Sequence, residues 1–171
     1  MLNRLVFSLA LFGASIAAAQ YREPATPKSG AQKPAPTGCP WLTQGTAATA
    51  LGGDVTATVN ATENASGAFE GSCKFSREPG SPDFLEIHVS KAALPTCPAG
   101  SMELKGIGNE AARCSPPGSH GHSVEMISSR VRDVNFTVTL AAHKEKSGAK
   151  SDDPQNDELE QVAEAVAGSL Y

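Results

Sequence analysis

The sequence predicts an α+β domain: one antiparallel sheet of about five strands, a short N-terminal helix and a longer C-terminal helix packed on one face, and two disulfides. Three observations carry this expectation. Apolar and polar residues alternate at period two in several short runs between 55 and 140. Near the C-terminus Leu159, Val162, Ala163, Val166 and Leu170 recur at helical spacing. Four cysteines, Cys39, Cys73, Cys97 and Cys114, all fall within 39–171.

Thr43 can cap a short helix that runs to about Leu51 and stops at Gly52-Gly53. Val55, Ala57 and Val59 then face one way, with Thr56, Thr58 and Asn60 facing the other. Phe69, Gly71, Cys73 and Phe75 share a second inward face, and Leu85, Ile87 and Val89 a third. The stretch from Pro95 to Gly121 reads as irregular, with only Met102, Leu104 and Ile107 offering burial. Strand character returns at about Ser123 to Val131 and at Val134 to Leu140, with Arg132-Asp133 as the turn of a hairpin. The last helix can be capped by Asp152 or Asp153, carries Pro154 in its first turn, and has Asp157, Glu158 and Glu160 near its start. Pro needs no amide hydrogen bond there, and the helix dipole favours the acids.

Residues 1–19 read as a signal peptide: Arg4, an apolar run from Leu5 to Ile16, and small Ala17-Ala18-Ala19 at the cleavage point. The run is shorter than the roughly 20 residues a membrane-spanning helix needs. Residues 20–38, with Pro24, Pro27, Pro34 and Pro36 among small polar residues, read as a flexible linker. The domain is then 39–171, and the protein is expected in the periplasm or outside the cell.

The chain has 171 residues, 14 Lys and Arg against 18 Asp and Glu, and a net charge of -4. Residues 1–38 hold four of those bases but only Glu23 of the acids, so the domain carries ten bases against seventeen acids. That balance argues against nucleic acid and anionic lipid as partners.

An even number of cysteines in an oxidising compartment argues for two disulfides. Sequential pairing, Cys39 with Cys73 and Cys97 with Cys114, is favoured. The first ties the start of the domain to a core strand, and the second closes a Gly- and Pro-rich loop.

His120-Gly121-His122 is the most suggestive chemical site. Two imidazoles one residue apart can hold copper, nickel or zinc, with His88, Met126 or Glu125 as candidate third ligands. The competing reading is a solvated loop in which two histidines fall, and His143 reads as plain surface. Glu103 and Glu110 could act as acid and base, although nothing in the sequence places them together. Gly106-Ile107-Gly108-Asn109-Glu110 lacks the Lys of a phosphate-binding loop and reads as a turn needing positive φ. Nucleophile and metalloprotease signatures are missing, so no catalytic residue and no cofactor is called for. Sequons stand at Asn60, Asn64 and Asn135.

With these residues in view, 39–171 resembles a family of exported bacterial small lipoproteins of unknown function, best known in actinobacteria. The matching residues are Cys39, Leu42-Thr43, Leu51-Gly52, Cys73-Lys74-Phe75-Ser76, Gly106-Ile107-Gly108-Asn109-Glu110-Ala111, Val131-Arg132-Asp133-Val134 and the helix from Val162 to Ala167. In outline the segment is also similar to extracellular sensor domains of some bacterial serine/threonine kinases. The chain lacks the family's lipid-acceptor cysteine after the leader and adds Cys97, Cys114 and the histidine loop. The resemblance implies an exported, non-catalytic binding or sensing module for a protein or small-molecule ligand in the cell envelope. A metal-binding protein using His120 and His122, and a structural envelope protein or secreted inhibitor, are the alternatives.

Overall fold

A computed structural model describes residues 36–117, 122–143 and 154–171. The expected signal peptide, most of the linker, His120 and the two candidate caps Asp152 and Asp153 lie outside these residues.

Helix α1 spans Gln44–Ala50, and Thr43 caps it by accepting the Thr46 amide on its hydroxyl at 3.2 Å. It stops at Gly52-Gly53, whose amides bond back to the Thr49 and Ala48 carbonyls. Seven strands follow: β1 (Thr56–Glu63), β2 (Phe69–Ser76), β3 (Phe84–Ser90), β4 (Met102–Leu104), β5 (Glu110–Cys114), β6 (His122–Val131) and β7 (Val134–His143). Helix α2, Pro154–Ser169, closes the chain.

All strand pairs are antiparallel, in the order β1-β2-β3-β7-β6-β5-β4. The sheet thus has seven strands where the sequence suggests about five. The two additions, β4 and β5, fall in the stretch expected to be irregular. One is three residues long, and the other places charged Arg113 at an inward position, which hides its alternation.

Register sorts the side chains into two faces. Val59, Cys73, Ile87, Val138, Ile127 and Arg113 stand opposite one another across six strands. Phe75, Leu85, Ile87, Val89, Ile127, Phe136 and Val138 on this face are all but inaccessible, as are Leu159, Val162, Ala163 and Val166 of α2. Helix α2 lies against β6 and β7, while α1 packs chiefly on α2 rather than beside it on the sheet. Burial of these side chains, each contributing about 1.5–3 kcal/mol, is what holds helix to sheet. No described helix is long and apolar enough to cross a membrane.

Cys39 is bonded to Cys73 and Cys97 to Cys114, which is the sequential arrangement. The loop 105–109 does more than turn the chain. Ile107 is driven into the core, Ser129 Oγ donates to its carbonyl at 3.0 Å, and the Asn109 amide donates to the Arg130 carbonyl at 2.7 Å. Gly106 and Gly108 take φ of +89° and +66°, as the turn reading of that motif requires.

Candidate functional site

The sheet's second face is crossed over β5 to β7 by chain rather than by a helix, and the strand order explains why. β3 and β4 run in the same direction with β7, β6 and β5 between them. Four strand spacings amount to about 19 Å, which residues 91–101 must cross. An extended chain of that length reaches about 36 Å, so the connection has slack and can arch over the sheet.

This strap is held at three points. Asn135 Nδ2 donates to the Lys91 and Ala92 carbonyls at 3.5 and 3.2 Å. The Cys97 amide donates to Ser128 Oγ at 3.2 Å. The Cys97–Cys114 bond fastens the strap to β5. Between strap and strands lies a cavity of about 600 Å³. Leu94, Pro95 and Thr96 form one wall, Ala112, Ser128 and Asn135 line the floor, and Glu103, Glu110 and Arg130 supply charge. Arg130 bonds to Glu110 through Nη2 and Oε1, and their side chains stay 47% and 73% exposed. Such an open pair is weakly held and can exchange one partner for an incoming charged group.

Glu103 and Glu110, which the sequence could not bring together, therefore both line this cleft. Glu110 reaches it paired with Arg130. The sequence-predicted metal residues are spread apart. His120 lies outside the described residues. His122 opens β6 with its side chain only 13% exposed, its Nδ1 3.2 Å from Asp83 Oδ1. His88 is on β3, where it meets Glu86 at 3.3 Å. Met126 and Glu125 are neighbours on β6 and so point to opposite faces. Glu125 is taken up by Arg113 at 3.3 Å and by the Ser115 hydroxyl at 2.6 Å. His143 stands opposite His122 in the β6–β7 register. Among the described residues no group of three or more His, Cys, Asp or Glu could hold a metal ion.

Sequence reasoning missed a charge cluster beneath the sheet. Arg113, 8% exposed, reaches Glu125 and, at 3.5 Å, Glu160 of α2. The signal was present in Glu-Ala-Ala-Arg-Cys, where an arginine sits two residues from Ala111 on the inward side. The cluster ties β5, β6 and α2 together and lies on the face away from the cleft.

Two of the sequon asparagines have structural work. Asn64 Oδ1 accepts from the Ser66 and Ala68 amides, and its Nδ2 donates to Glu70. That donor, with the Lys91 amide, holds the Glu70 carboxyl below the usual carboxylate range. Asn135 anchors the strap. Asn60 is exposed on β1. No family model, curated protein or solved structure matches this chain.

Proposed function

We propose that this chain is an exported, non-catalytic binding or sensing module that takes a small polar molecule into the cleft beneath the 91–101 strap. The observation that carries the reading is the strap itself: a disulfide and three hydrogen bonds hold open a concave space that the core does not need. Arg130, paired with Glu110, and Glu103 elsewhere on the lining offer both signs of charge, which suits a ligand bearing a carboxylate and an ammonium group. The leader, the two disulfides and the resemblance to small exported lipoproteins support a location beyond the cytoplasmic membrane. The absence of nucleophile signatures from the sequence supports binding rather than catalysis.

The test is native mass spectrometry of the full chain from its own host, beside Arg130→Ala. A bound small molecule lost in Arg130→Ala supports the reading. A molecule retained by the variant, a purely protein partner, or nothing bound in either sample sinks it.

One observation favours a second reading. His122 Nδ1 meets the Asp83 carboxylate, the kind of partner that orients a metal-ligating imidazole. On this reading His120 and His122 hold Cu(II) or Zn(II). Equal metal binding by the wild type and by His120→Ala/His122→Ala would remove it.

A further inference from the structure

The two disulfides have different surroundings. Cys73 is inaccessible within the core, and Cys39, itself half-buried, packs against that core. Cys97 and Cys114 belong to neither group; both are half-buried on the opposite face. The strap around Cys97 is exposed at Pro95, Thr96, Pro98, Ala99 and Gly100 and forms no strand, so it can swing aside for an incoming thiol. Once the bond is cut, the middle of the strap keeps the Cys97–Ser128 hydrogen bond, and its start keeps the Asn135 bonds, the Lys91 amide bond to Glu70 and the exposed Lys91–Asp133 ion pair, each contributing little against water.

We propose that Cys97–Cys114 is a site of reversible thiol–disulfide exchange with a protein dithiol of the Cys-x-x-Cys class, and that its state opens or closes the cleft. The consequence for ligand binding rests on the cleft being the ligand site; the exchange itself does not. One thiolate of the reductant attacks Cys97 Sγ and forms a mixed disulfide. The Cys97–Cys114 bond breaks, and its electron pair leaves on Cys114 as a thiolate that takes up a proton. The reductant's second thiolate then attacks the mixed disulfide, releasing Cys97 and closing the reductant's own disulfide. Two electrons pass to the chain, and the dithiol is oxidised.

The direction of attack follows from the surroundings of Cys97. Its Sγ lies 3.4 Å from the Ala112 carbonyl oxygen and 3.6 Å from that of Met126. These oxygens disfavour a thiolate at Cys97 and favour a neutral thiol, so Cys114 is the better leaving group. After reduction the same carbonyls can accept the Cys97 S–H.

The experiment uses the oxidised full chain under native conditions with dithiothreitol as the dithiol. Alkylation and peptide mapping follow each cysteine with time, and hydrogen exchange follows the Thr96 to Ser101 amides. Cys97 and Cys114 should become alkylated at least about tenfold faster than Cys39 and Cys73, and strap exchange should rise in step. With glutathione instead, the trapped mixed disulfide should map to Cys97. Equal reduction of both bonds, or earlier loss of Cys39–Cys73, overturns the exchange site. Selective reduction without faster strap exchange overturns the gating, and a mixed disulfide on Cys114 overturns the direction of attack. A doubly substituted Cys97→Ser/Cys114→Ser chain should show the same raised strap exchange without reductant. None of these readouts involves ligand, so failure here is distinct from failure of the Arg130→Ala comparison.

Discussion

Gly106 and Gly108 offer a paired measurement, because they share a backbone conformation and differ in what surrounds them. Both have positive φ, so alanine at either costs about 1–2 kcal/mol in backbone strain. A Cβ at Gly106 meets nothing within 4 Å, and the cost should stop there. At Gly108 the Cβ would lie 2.5 Å from the Arg130 carbonyl oxygen, 2.8 Å from Ser129 Oγ and 3.1 Å from Val131 Cγ2. Two of these atoms belong to the bonds that seat the loop, Asn109 to Arg130 and Ser129 to Ile107. Relief of the clash must loosen them, at about 1 kcal/mol each. Overpacking adds about 1–3 kcal/mol. Gly108→Ala should therefore cost about 3–5 kcal/mol more than Gly106→Ala, read as a difference in urea midpoint at unchanged slope. Destabilisation of the two variants by equal amounts, within about 0.5 kcal/mol, would refute the close approach of this loop to the β6–β7 hairpin.

Three further outcomes are expected. In the chain-entropy treatment, Cys39→Ala/Cys73→Ala should cost about 4 kcal/mol and Cys97→Ala/Cys114→Ala about 3, since the bonds close separations of 34 and 17 residues; urea unfolding of each double variant checks the order. Arg113→Ala leaves Glu125 facing the core without its cation and should cost about 2–4 kcal/mol, while Arg113→Leu/Glu125→Leu should recover most of that in a thermal melt. Glu70 is held below its ordinary range by Asn64 and then the Lys91 amide, so its carboxylate stabilises the fold above the unfolded value. That contribution should vanish as pH falls through the folded value. The stability gap between wild type and Glu70→Gln should be widest near neutrality and close in acid, and a gap independent of pH would contradict it.

Periodicity made β1, β2, β3, β6, β7 and α2 legible, because each presents an apolar stripe to one core, whereas α1 was legible from its Thr43 cap and its Gly52-Gly53 stop. Val134, Phe136, Val138 and Leu140 alternate so cleanly that their inward face needed no structure to identify. β4 and β5 were hidden because an edge strand three residues long has no period to read, and Arg113 is a charged residue on the buried side. Alternation also tells a strand its face but not its neighbour. Nothing local to Phe84–Ser90 says that its partner is β7 rather than β4. The cleft depends on that choice, so its walls, drawn from Leu94 to Asn135, could not be assembled from sequence. The loop 105–109 was recognisable as a turn from its glycines, whereas its role in seating Ile107 came only with the packing.

The strand order also divides the sheet into two meanders. β1, β2 and β3 follow one another, as do β4, β5, β6 and β7, and the two series meet only where β3 pairs with β7. Within each series neighbours can zip from short turns, at little loop-closure cost. The seam is different: Ser90 must find Asn135 across the whole of the second series. Contacts of such sequence separation slow folding. Strand pairing within the two halves should precede their joining, and the strap can settle over the sheet only after the seam has closed. Substitutions at the seam, such as Val89→Ala or Phe136→Ala, would then act mainly on the unfolding rate, and those inside a meander on the folding rate.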